Sequence, residues 1–232
     1  MRAKQSVLTV AALLLAGVVA LPAPAADEPT RKELQTATKN LKEIALAFHK
    51  SSQANNDRLA DDLTDQDGRP LLSWRVALLP YLEEEKLYKQ FKLDEPWDSE
   101  HNGKLIAKMP AVYAPVRVKA KEGETFCQRF VGKGALFNEK GSDYKLVDIP
   151  DGTSNTALVA EAGDPVIWSR PADLPFRGKL MPKLGGLFDG DFHVALCDGS
   201  VHLFKKSYDP DELKNVIMPD DGNVIDFKKL QK

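Results

Sequence analysis

Two short apolar runs, Phe192 to Cys197 and Ser200 to Phe204, are separated only by Asp198-Gly199. An Asp-Gly pair in that setting predicts a β-hairpin, because a type I′ turn needs two successive residues that tolerate positive φ. A two-residue turn sets Cys197 opposite Ser200 and Ala195 opposite His202. One face then carries Phe192, Val194, Leu196, Val201 and Leu203 and must be buried, while His193, Ala195, Cys197, Ser200, His202 and Phe204 take the other.

A sheet with an apolar face needs cover, and the other end of the chain offers it. Thr30 and Glu33 form the S/T-x-x-E pattern of a helix start. Leu34, Ala37, Leu41, Ile44 and Phe48 then recur at steps of three and four with Lys and Glu between them. This spacing predicts one amphipathic helix over 31–51 with a single apolar stripe.

Residues 52–70 read as a polar loop. A second helical pattern follows through Trp74, Leu78, Tyr81 and Leu82, interrupted at Pro80 and continued to Phe91. Glu95-Pro96-Trp97-Asp98 breaks it, and Asp98 or Ser99 can cap a short third helix toward Met109. Beyond Pro110 the texture turns to short β-like runs at 112–118, 125–131, 144–149, 156–161 and 166–169. Asp209-Pro210 opens a last short helix to about Ile217, and 224–227 reads as a final strand. The expected fold is α+β: a long N-terminal amphipathic helix packed on a C-terminal antiparallel sheet, with short additional helices.

The first 25 residues have a basic start at Arg2 and Lys4, an apolar run from Val7 to Leu21, and Ala23-Pro24-Ala25. They read as a secretory signal peptide cleaved after Ala25, leaving 26–232 as one domain. The alternative is a leader retained as an anchor. The apolar run is shorter than the ~20 residues that span a bilayer, so no transmembrane segment is expected after cleavage. The periplasm or the exterior is the expected location.

Removing the leader deletes two positive charges and moves the formal balance from −2 to −4. A chain so close to neutral, without a basic stripe, is not expected to bind nucleic acid. Its two cysteines, Cys127 and Cys197, could pair in an oxidising compartment or stand as two inert buried thiols.

No G-x-S-x-G elbow, H-E-x-x-H helix, P-loop or dinucleotide fingerprint is present. Three weaker groups remain. Trp97, Asp98, His101 and Asn102 could set an aromatic platform beside polar groups, as sugar sites do, or serve as a core anchor and a helix cap. Asp189, Asp191 and Asp198 could hold Ca²⁺, or simply form turns beside glycine. His193, Cys197 and His202 share a strand face in the expected register and could bind Zn²⁺, or belong to a half-exposed sheet face. Ser154, in Asp151-Gly152-Thr153-Ser154-Asn155-Thr156, is read as turn chemistry rather than as a nucleophile, since no base lies near it in sequence.

Several stretches together resemble a family of pilin-like, planctomycete-enriched secreted proteins of unknown function. They are 40–49 (NLKEIALAFH), 73–83 (SWRVALLPYLE), 95–102 (EPWDSEHN), 131–134 (VGKG), 151–156 (DGTSNT) and 198–201 (DGSV). The resemblance implies a pseudopilin-like helix-on-sheet fold and no catalytic residues. The chain departs from that family in carrying a conventional signal in place of the prepilin leader. It also has Phe188-Asp189-Gly190-Asp191 where members show His-Pro-Gly-Gly. The expected role is a structural or interaction protein meeting other exported or cell-envelope proteins. A carbohydrate- or solute-binding module is the alternative, and a secreted hydrolase the third reading.

Overall fold

A computed structural model of the chain describes residues 28–178 and 180–231. The expected signal peptide, 1–25, lies outside them.

Helix α1 spans Arg31–Ala54. Thr30 Oγ1 accepts from Glu33 N at 3.2 Å while Thr30 N donates to Glu33 Oε2 at 2.7 Å, so the expected capping box forms. Leu41, Ile44 and Phe48 are fully buried on its inner face. Each such side chain contributes about 1.5–3 kcal/mol by leaving water, which is what holds the helix down.

The remaining elements are β1 (Leu63–Thr64), β2 (Pro70–Leu72), α2 (Trp74–Ala77), α3 (Glu85–Tyr88), β3 (Glu124–Gln128), β4 (Phe130–Val131), β5 (Ala157–Ile167), β6 (Leu174–Pro175), β7 (Phe192–Leu196), β8 (Val201–Phe204) and α4 (Pro210–Ile217). The main sheet runs β3-β5-β7-β8 with every neighbouring pair antiparallel. Strand β1 pairs with β2, and β4 pairs with β6 in parallel.

The hairpin forms, but its register differs from the expected one by a residue. Ala195 lies opposite Val201 and Val194 opposite His202. Of Asp198 and Gly199 only the glycine has positive φ, at +86°. The turn is therefore not type I′; Gly199 N donates to Leu196 O and Leu196 N to Ser200 O, making Cys197-Asp198-Gly199 a three-residue connection.

That shift carries β8 over to the opposite face. His193, Ala195 and Cys197 now lie with Val201 and Leu203, while Phe192, Val194 and Leu196 lie with His202 and Phe204. Both faces of β7 are buried. Ala195, Cys197 and Val201 join the core under α1. Phe192, Val194, Leu196 and Phe204 join a second core with Leu213, Val216 and Ile217 of α4. The sheet is thus covered on two sides rather than one.

Strand β5 was expected as two pieces. It runs through Gly163-Asp164-Pro165 with a bulge: Cys127 faces Glu161 while Thr125 faces Val166. The bulge admits the proline without a missing ladder bond, and Gln128 Nε2 donates to Asp164 O at 2.8 Å beside it. The expected strands at 112–118, 144–149 and 224–227 are instead loops with 3₁₀ turns at Ala111–Tyr113, Leu146–Asp148 and Phe227–Lys229. The expected third helix is likewise a 3₁₀ segment, Asn102–Lys108.

Candidate functional site

The structure gives the residues around Trp97 structural work. Asn102 is fully buried, accepts from Lys92 N at 3.0 Å, and donates to Lys92 O, Glu95 O and Pro96 O at 2.9–3.2 Å. It stitches the 92–97 loop into shape, and with both amide hydrogens spent and the residue fully buried it is closed to a ligand. Trp97 packs half-buried on the main core and donates its backbone N–H to Leu71 O, with the Arg170 guanidinium 5.5 Å above its ring. His101 Nε2 meets Gln90 O at 2.8 Å, and Ser99 rather than Asp98 caps the following turn. Asp98 is exposed. No open platform brings the four together.

The aspartates do not converge either. Asp189 pairs with Arg117 at 2.6 Å, Asp191 Oδ1 accepts from Lys206 N, and Asp198 Oδ1 accepts from Ser200 N in the hairpin turn. Asp198 and the Asp189-Asp191 pair sit at opposite ends of β7. The register shift separates the imidazoles, His193 facing α1 and His202 the second core. His193 Nδ1 lies 2.8 Å from Glu161 Oε2, and His202 contacts Ser200 and Gln231. Among the described residues, no group of three or more His, Cys, Asp or Glu side chains is placed to hold a metal ion.

Cys127 and Cys197 are free and buried, so the pairing weighed from sequence does not form. Strand β5 lies between their strands, and Cys127 faces Glu161 whereas Cys197 N bonds to Thr156 O. Two strand spacings alone separate them by about 9.5 Å, beyond the ~7 Å that a bridge can span. Burial pushes the Cys127 thiol up to about 12 and raises that of Cys197 as well. Ser154 is exposed in a turn closed by Asn155 Nδ2 to Asp151 O and Thr156 Oγ1 to Gly152 O.

The concentration of charge lies elsewhere, at the floor of a cleft of about 500 Å³ lined by Asp61, Asp62, Arg129, Asp173 and the prolines 70, 171 and 175. Ser73 caps α2 by accepting from Arg75 N, which turns Arg75 inward. Arg75 is fully buried, donating from Nε to Cys127 O and from Nη2 to Asp173 Oδ1 at 3.0 Å. Asp173 also accepts from Arg129 N and Nε at 2.9 and 3.1 Å and from Trp74 Nε1. Arg129 reaches onward from Nη1 to Asp61 Oδ1 at 2.9 Å. Its guanidinium lies 4.4 Å above the Phe137 ring, and that of Arg75 lies 4.5 Å above Trp74.

Burial opposes the charge of Arg129, but Asp173, Asp62 and Asp61 outweigh it and hold its pKa above the ordinary range. For Asp62 the balance falls the other way: burial raises its pKa despite the pull of Arg129, whose Nη2 is 3.5 Å away. Asp62 and Asp173 bond Trp74 from 12 and 99 positions away, so the group carries no local sequence signal.

Comparison with known families matches residues 35–179 to the model described as Protein of unknown function (DUF1559), SBP_bac_10. That is more than half of the chain, so the chain belongs to this family, and all five charged residues of the cleft floor lie inside the matched region. No curated protein and no solved structure matches the chain.

Proposed function

We propose that this member of the DUF1559 family is an exported, pilin-like structural or interaction protein that works through its surface at the cell envelope. The observation that supports it is the laying of α1 across β5, β7 and β8 of an antiparallel sheet. That architecture comes with buried thiols, a turn-bound Ser154 and an Asn102 whose hydrogen bonds are all internal. The outward side of α1 presents Leu46, 53% exposed, along a shallow groove with Leu34, Thr38 and Lys42. No helix among the described residues is long and apolar enough to cross a membrane.

Photocrosslinking from a probe at position 46, in cells expressing the full-length chain, tests the reading, with mass spectrometry of the mature N-terminus. The expected result is an N-terminus at Ala26 and specific adducts to other envelope proteins. Recovery from the cytoplasm with residues 1–25 intact, or an envelope form giving no adduct from any outward α1 position, overturns it.

A further inference from the structure

The cleft above Arg129 offers something that the interaction reading does not use. We propose that it binds a neutral, hydroxyl-rich ligand, a mono- or disaccharide, through the unshared oxygens of Asp61 and Asp62 and the Nη2 donor of Arg129.

The floor is built rather than incidental. Arg129 and Asp173 side chains are 2% and 5% exposed, and Arg129 is fixed on three sides by Asp173, Ala60 O and Asp61 over the Phe137 ring. A guanidinium so held cannot swing away, so its remaining donor points at a fixed place. Among the described residues, the polar contact of that donor, Nη2, is the 3.5 Å approach to Asp62, longer than a good hydrogen bond. Asp61 uses Oδ1 for Arg129 and for Asp62 N, and Asp62 uses Oδ1 for Trp74 N. The Oδ2 atoms of both accept no hydrogen bond from the described residues. The cleft's size lies within the ~300–1,000 Å³ usual for small-molecule sites.

The class of ligand follows from the charges. Of the lining residues Asp61, Asp62, Asp173 and Glu139 are acidic and Arg129 and Lys140 basic, and the buried Arg75 beneath the floor answers Asp173, so one formal negative charge is left over. An anion entering meets the two carboxylates, and a cation meets the guanidinium. A vicinal diol satisfies both kinds of group at once, since each hydroxyl donates to a carboxylate and accepts from a guanidinium N–H. Pro70, Pro171, Pro175 and Val131 line the walls and suit the C–H faces of a sugar ring.

Isothermal titration of the mature chain against glucose, galactose, cellobiose and maltose, with putrescine and inorganic phosphate as charged probes, tests this. The expected result is saturable binding of at least one saccharide and none of either charged probe. Asp61→Asn should weaken that binding tenfold or more. Thr64→Trp, which places a bulky ring at an exposed position on the cleft wall, should abolish it without touching the buried ion pairs. No saccharide binding at 10 times a millimolar Kd (roughly 10 mM), tight binding of putrescine or phosphate instead, or saccharide binding that Thr64→Trp leaves intact would each overturn the proposal.

Discussion

Arg75 Nη2 and Asp173 Oδ1 meet at 3.0 Å although 98 residues separate them, and both side chains are almost wholly buried. Asp173 also holds Arg129, so one carboxylate answers two interior guanidinium groups. Removing it leaves Arg75 buried without a counter-charge and takes from Arg129 its most buried partner, leaving it Asp61 and Asp62, which is far costlier than losing an exposed pair. Asp173→Ala should destabilise the fold by about 3–5 kcal/mol, whereas Asp164→Ala, which breaks the exposed pair with Lys183, should cost under about 1 kcal/mol. Urea unfolding of the two variants measures the difference, and equal midpoints would refute the account.

The pH dependence of Asp62 has the opposite sign to that of a salt-bridged carboxylate. Its folded pKa is raised above the ordinary 3.8 by burial, so the native state binds the proton more tightly than the unfolded chain. Stability from this residue is therefore greatest below pH 3.8 and declines as pH rises through 3.8 to the folded value. Asp62→Asn keeps an acceptor for Trp74 N–H but cannot ionise. Its stability relative to the natural chain should improve between pH 3 and pH 7, read from melting curves at each pH; a relative loss over that range would count against burial as the governing cause.

Two glycines should respond differently to alanine. Gly199 has φ +86° and open space around its missing Cβ, so Gly199→Ala carries backbone strain alone, about 1–2 kcal/mol. A Cβ at Gly186 would press on the Gly163 carbonyl and come within 2.6 Å of Phe126 Cε1. Gly186→Ala should cost toward the upper end of about 1–3 kcal/mol, the range for overfilled interiors, and near-ultraviolet circular dichroism should show disturbed aromatic packing in that variant only.

Neither thiol should be reachable in the native protein. Cys127 and Cys197 are buried, free and raised in pKa. A thiol-specific chromophoric reagent should label no cysteine in buffer and both in concentrated urea, and non-reducing peptide mapping should show no link between positions 127 and 197.

Much of the architecture was legible in local pattern. Thr30, Glu33 and the Leu41-Ile44-Phe48 stripe announced α1, because cap and period agree. The hairpin at Asp198-Gly199 was legible as a hairpin but not in register. Asp-Gly suits both a two-residue type I′ loop and a three-residue loop with one left-handed glycine, and only φ at Asp198 separates them. Burial of both faces of β7 was hidden in the same way: a run such as Phe-His-Val-Ala-Leu reads as alternating once one face is assumed wet. The Trp97 group was open to a sugar-site and to a core-anchor reading because aromatic and polar residues cluster in sequence; Asn102 uses its side chain on its own loop. The cleft floor was illegible, since Asp61, Arg75, Arg129 and Asp173 approach only after four distant segments pack.

Helix α1 lays its apolar stripe on its own sheet, and the other side of that sheet is already occupied by α4. The stripe of α1 and both faces of β7 are therefore already spent, with neither held in reserve as a greasy surface for a neighbour. Growth into a fibre by swapping α1 would strip one molecule to clothe the next, whereas an assembly joined through outward residues such as Leu46 should come apart with the domain still folded.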